Sequence, residues 1–190
     1  MRPPPPGYGY PMRPPPVSPA GAPLADFGSR LLAALIDGAI LAGVGMVVAI
    51  PVFLVVFARM TTTIDALDPY RGTEPGPYAM FSGVFLPLIL LEIGFVVFLL
   101  ILYYFYYVEM LHKSGQTIGK KALKIRIVPL DPAATLTRGM AAKRYAIEFV
   151  VGTFVPFFRY LDGLWQLWDK PYLQTLHDKV AQTVVIKVSP

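Results

Sequence analysis

The chain has 190 residues, 55% of them hydrophobic and only 15% charged, with a mean hydropathy of +0.53, a net charge of +5 and a pI of about 9.4. That balance excludes a soluble enzyme fold and a fully disordered chain, because stretches such as Gly38 to Ala58 hold no charged side chain at all and match a bilayer better than an aqueous core. Eight of the seventeen basic residues fall between His112 and Arg144, the pattern of loops held at a cytoplasmic membrane face and not of a nucleic-acid footprint. The absence of cysteine excludes disulfides, thiolate metal sites and cysteine nucleophiles, and two isolated histidines, His112 and His177, form no metal cluster. Neither a metal nor another cofactor is expected.

Residues 1–25 read as a cytoplasmic, proline-rich tail. Half of the twenty prolines lie between Met1 and Pro23, and proline removes backbone donors and fixes φ, so an extended, solvated segment without helix or sheet is expected. The apolar run of a secretory signal is missing, so the tail is expected to be retained. Two roles fit it: a passive tail, or a docking segment for a cytoplasmic partner.

A helical pattern begins at Phe27, with Asp26 or Ser29 placed to cap it, and runs to Phe57 before Arg59 closes it. Its twenty-one uncharged residues, at about 1.5 Å each, give about 31 Å, enough to cross the hydrocarbon. Pro51 should bend this first span. Residues from Arg59 to Tyr78 form a polar loop rich in acids and prolines. A second span covers about Met80 to Val108, with Glu92 as its only acid. Tyr103, Tyr104, Tyr106 and Tyr107 gather at its end like an interfacial aromatic belt. The basic loop from Glu109 to Arg144 is then cytoplasmic, and two crossings return the chain to the side of its tail, so the N-terminus is cytoplasmic as well.

The apolar region Tyr145 to Trp168 is interrupted by Glu148, Pro156, Arg159 and Asp162. It fits either one interrupted span or a pair of short helices hinged near Pro156, and the hinged pair agrees better with Lys170, Lys179 and Lys187 lying inside. Leu123 to Val128 and Val184 to Val188 alternate with the period of strands, and two lone strands need each other. The expected architecture is an all-α multi-pass membrane protein. It has two full transmembrane helices, a shorter C-terminal helical hairpin or third span, and a small cytoplasmic two-stranded element, over residues 26–190.

Ionisable groups in lipid need a partner, water or a proton. Arg30 and Asp37 lie two turns apart on one helical face, so Arg30 can snorkel to the headgroups while Asp37 faces other helices. Glu92 sits near the centre of the second span, with no basic residue beside it in the sequence. Arg144 with Glu148, and Arg159 with Asp162, are spaced as local helix pairs. Trp165 and Trp168 fit interfacial anchors. Gly115 to Lys121 lacks the spacing and hydroxyl of a phosphate loop, and adjacent His177 and Asp178 should point apart, so no catalytic constellation emerges and no enzyme activity is expected.

Three stretches resemble the RDD family of small bacterial integral membrane proteins, named for one arginine and two aspartates. Arg30 and Asp37 fit the first helix; Gly115-Gln116-Thr117 with Gly119-Lys120-Lys121 fits the loop motif; and Thr175-Leu176-His177-Asp178-Lys179 with Thr183-Val184-Val185 fits the end that bears Asp178. The resemblance covers roughly Asp26 to Val188. Lys124 and Gln182 depart from it, standing where the family usually has glycine. It implies a multi-pass protein of the bacterial plasma membrane for which transport is often suggested. Transport of ions or small solutes is therefore the expected role, with Asp37 and Glu92 as ion or proton sites and Arg30 as counter-charge to Asp37 and Asp178. The rival is a non-transporting assembly or accessory subunit whose charges only lock helices. Two spans enclose little volume, so a conducting form should be a homo-oligomer in the lipid bilayer.

Overall fold

The computed structural model describes residues 15–66 and 77–188. The tail before residue 15 and the centre of the polar loop, 67–76, lie outside the described residues. Helix α1 (Phe27–Ala66) opens where expected: Asp26 accepts the Ser29 amide at 2.8 Å as an N-cap. It runs past Arg59, however, because Met60 to Ala66 carries no breaker and Thr61 and Thr62 bond back onto carbonyls of the preceding turn. Helix α2 (Pro77–Ser114) returns antiparallel to it and widens into π turns at Phe81–Phe85 and Phe105–Glu109.

Both helices are long and apolar enough to cross a bilayer, and their apolar side chains lie largely on the surface, unlike those of a soluble protein's core helix. Forty residues of α1 span about 60 Å, twice the hydrocarbon thickness. A helix of that length would project beyond such a layer at its ends. Asp37 lies about 15 Å along the helix from Phe27, beside the folded cap described next and at the edge of the uncharged stretch, whereas Glu92 is halfway along α2.

The cap consists of α3 (Ile118–Ala122), β1 (Ile125–Pro129), α4 (138–154), α5 (Phe158–Trp165), α6 (Leu176–Val180) and β2 (Thr183–Lys187). β1 and β2 pair antiparallel, Ile127 opposite Val185, which places the two expected strands in one sheet. Gly115 ends α2 at φ 71, and a side chain there would meet the Ile127 carbonyl, so glycine both turns the chain and lets β1 close against the helix end. The expectation of no sheet in the tail fails for its last residues. Val17 bridges Pro23, Leu24 bridges Ile186, and the Ala25 amide donates to the Val185 carbonyl at 2.9 Å. The free edge of β2 supplies the partners that the tail's own prolines cannot.

The cap contains the same unit twice. Gln116-Thr117 precedes α3 and Gln174-Thr175 precedes α6. Each threonine caps its helix, and each glutamine amide donates to the first carbonyl of the following strand region, Ile125 at 2.8 Å and Thr183 at 2.9 Å. Each short helix exits through a left-handed residue, Lys124 or Gln182, both at φ 52. A glycine, as the resemblance leads one to expect at these two positions, would suit this backbone conformation.

Residues 145–168 form the hinged pair, not the single span. Pro156 holds Val155 extended, which stops α4, and Phe157 turns at φ 62 before α5 starts. Helix α5 is amphipathic with an inverted burial: Asp162 and Gln166 face the protein, while Phe157, Tyr160 and Leu161 are 81%, 71% and 51% exposed. The tyrosines at the end of α2 do not form a belt. Tyr103, Tyr104 and Tyr107 pack inward against Tyr145 and Phe149 at centroid distances of 4.3–5.6 Å, since α4 offers aromatic faces where lipid was expected.

Candidate functional site

The site is where α1 and α2 enter the cap, and it begins with the ends of the short helices. A helix start leaves amide donors without intrahelical partners. At α3 these are met from outside: Tyr106 Oη accepts from Ile118 N at 3.3 Å, Asp37 Oδ1 from Gly119 N at 2.7 Å, and the Thr117 hydroxyl from Lys120 N at 3.4 Å. Asp37, fully buried, also accepts from the hydroxyls of Tyr106 at 2.6 Å and Thr117 at 2.5 Å, with Lys120 Nζ 3.8 Å away. A carboxylate seated on a helix N-terminus with three donors is stabilised by both the hydrogen bonds and the helix dipole. Gly119 makes the approach feasible, since a Cβ there would lie 2.2 Å from the Ala33 carbonyl oxygen of α1.

The second unit repeats the device with other residues. Asp162 of α5 accepts the His177 amide at 2.9 Å and holds its Nδ1 at 2.6 Å, so a carboxylate again sits on the second amide of a short helix. One position on, where α3 has Lys120, α6 has Asp178. It is fully buried in a capping box with Thr175. Arg30 Nη1 donates to its Oδ2 at 3.0 Å, Arg144 Nη1 donates to its Oδ1 and to Thr183, and Arg30 Nη2 donates to the Val185 carbonyl at 3.4 Å.

Arg30 and Asp178 thus meet, whereas Asp37 belongs to a neighbouring network and Glu92 to neither. Arg30 does not snorkel: it is 9% exposed, because Asp178 and a strand carbonyl offer it better partners than headgroup water would. The local pairs expected for Arg144 and Arg159 do not form either. Arg144 turns to Asp178 and Thr183, and Arg159 lies over the Phe149 ring at 5.2 Å. His177, expected at an interface, is buried among Asp162, Glu148 and Asp178. Glu92 is exposed on an apolar groove lined by Val48, Val52, Phe53, Phe95 and Phe98. Asp162 was missed as an anchor, although its counterpart Asp37 and the repeated Gln-Thr start were visible in the sequence.

A chamber of about 470 Å³ opens between the start of α1, α4 and α5. Arg30, Lys120, Arg144, Glu148, Arg159, Asp162, His177 and Asp178 all contribute to its wall. Burial lowers the pKa of Lys120, against the raising influence of Glu148 and Asp37. Burial alone would raise Asp178, but Arg144, His177 and Arg30 outweigh it and hold the carboxyl well below its usual range. A carboxyl with a depressed folded-state pKa contributes stability that is complete above its unfolded value, about 3.9, and is lost as pH falls below it. Thermal stability in detergent should therefore decline below about pH 4, and Asp178→Asn should flatten that acid limb. An identical acid limb in the variant would place the loss elsewhere.

Compared with known families, residues 24–182 match the model of the RDD family. No curated protein and no solved structure matches the chain.

Proposed function

The chain belongs to the RDD family, and on that premise we propose that it is a multi-pass protein of the bacterial plasma membrane, N-terminus cytoplasmic, that moves ions or small solutes. The observation that carries this reading is the charged chamber, placed where the first of two lipid-length helices enters a polar cap. Charges that faced only one another would leave no such space, and a solute leaving water for the bilayer needs one. The inverted amphipathicity of α5 supports the placement: a short helix with its polar face on the protein and its aromatic face outward suits the headgroup layer. Lys113, Lys120, Lys121, Lys124, Arg126 and Arg138 all belong to the cap end, which favours a cytoplasmic cap and with it a cytoplasmic N-terminus.

In this reading Arg30, Asp178 and Lys120 shape the chamber electrostatically, and Glu92 is the station halfway across. Two helices alone enclose no path, so the conducting unit is a homo-oligomer that brings further walls to Glu92.

A second reading, a non-transporting assembly subunit, is favoured by Asp37. Its carboxylate is fully buried with three donors and lines neither the chamber nor the groove, as befits a structural clamp. The two readings separate in reconstituted vesicles. Glu92→Gln touches no hydrogen bond or ion pair among the described residues and should fold as wild type does, with ion or proton flux lost. Asp37→Asn, which keeps the shape of the clamp, should retain flux if it folds. Wild-type vesicles that pass no ion under any imposed gradient would favour the assembly subunit.

A further inference from the structure

The groove between the two long helices holds one acid and nothing to meet it. Its volume is about 520 Å³, and among the described residues its wall is Glu92 together with ten residues that carry no polar side-chain group. Leu88, Glu92 and Phe95 stand about one turn apart on one face of α2, which sets the carboxyl between an aliphatic and an aromatic neighbour. Phe53 contributes a ring from α1, and the Phe95 and Phe98 rings lie 6.2 Å apart at 27°. No hydrogen bond or ion pair engages Glu92 among the described residues. A carboxylate halfway along a lipid-length helix is costly without a partner.

Lipid chains would cover the apolar wall but bring no charge. A second copy brings the same acid and, over the depth of the groove, no base, since residues 38–58 and 77–109 contain no lysine, arginine or histidine. A hard inorganic cation takes several oxygen ligands at once, whereas this wall offers those of a single carboxylate. A cation sheathed in carbon needs few ligands, gains from apolar walls and is attracted to the faces of aromatic rings.

We propose that the groove binds a hydrophobic organic cation, its charge against Glu92 and its substituents against Phe53, Phe95 and Phe98. This rests on Glu92 being the halfway station of the proposed function, and it names the class of solute that stops there. The volume falls within the range of pockets that enclose drug-sized molecules.

The full chain in a neutral detergent is dialysed to equilibrium against labelled tetraphenylphosphonium, with detergent alone as the blank. Tetraphenylborate, of the same shape and opposite charge, and sodium chloride are the comparison probes. The phosphonium should bind saturably, the borate should not, and sodium should fail to displace the phosphonium. Glu92→Gln should elute as wild type and weaken phosphonium binding by about tenfold or more. Gly94→Leu keeps the acid and fills the groove. Nothing lies within 4 Å of the place its Cβ would take, so this variant should fold and also weaken binding. The proposal is overturned if phosphonium binding does not saturate, if either variant binds it as well as wild type does, if the borate binds equally, or if sodium displaces it at equal concentration. Absent binding together with a change of oligomer size in Glu92→Gln, read by light scattering, would also overturn it and assign the groove to a second copy. A protein that binds the cation but passes no solute loses only the transport reading, and one that passes ions without binding it loses only this inference.

Discussion

Asp178→Ala is expected to cost about 3–5 kcal/mol and to leave little folded protein in detergent, because it strands two guanidinium groups in a buried site. Arg30 and Arg144 both donate to this carboxylate, and neither has another acid within ion-pairing distance among the described residues. The same change opens the α6 capping box, adding about 1 kcal/mol. The reverse experiment distinguishes charge from packing. Replacing all three together, Arg30→Met, Arg144→Met and Asp178→Leu, removes the desolvation penalty along with the attraction, and most of the lost stability should return. Denaturant unfolding followed by near-ultraviolet circular dichroism reads both. If the single variant unfolds at the wild-type midpoint, the lattice does not hold the cap.

Gly119→Ala should be the most damaging change by a single methyl group. The added carbon would sit 2.8 Å from Asp37 Oδ1 and 2.2 Å from the Ala33 carbonyl oxygen, a backbone atom that cannot retreat without moving the long helix. Helix α3 must then lift, which strips the Gly119 amide from Asp37 and leaves that carboxylate short of a donor. Overpacking and the broken bond together should cost about 3 kcal/mol or more. Gly152→Ala is the informative contrast, because what crowds it is the Arg159 side chain, which can swing away from the Phe149 ring. Protease nicking near Lys120 and Lys121 should increase in the Gly119 variant and not in the Gly152 variant; equal protection of both would show that α3 does not ride on α1 through this contact.

The two long helices, the strand pair and the break at Pro156 were legible because each is written in neighbouring residues: an uncharged run, an alternation, a proline. Partner choice was not. Arg144 and Glu148 stand at ideal helical spacing, yet the arginine finds Asp178, held by α6 and reached only through the fold. A local pair at a surface is worth a few tenths of a kcal/mol, whereas an unpaired buried charge costs several, so the tertiary partner wins. The tyrosines misled for a related reason: a cluster that suits a lipid interface also suits an aromatic core, and the deciding element, Phe149, lies far along the chain. Arg30, Asp37 and Asp178 could be picked out individually. That Arg30 belongs with Asp178 and not with Asp37 required the second repeat unit to be recognised from its Gln-Thr start.

The distance between Arg30 and its acid along the polypeptide, 148 residues, carries a consequence for biogenesis. A nascent chain leaving the ribosome exposes α1 long before α6 and β2 exist, so the arginine waits with its counter-ion still unsynthesised. Closure of this charge network is therefore a late event in folding, since it waits for Asp178. A chain stalled before Leu176 would keep its long helices but remain unlatched, with a guanidinium that has not yet found its mate.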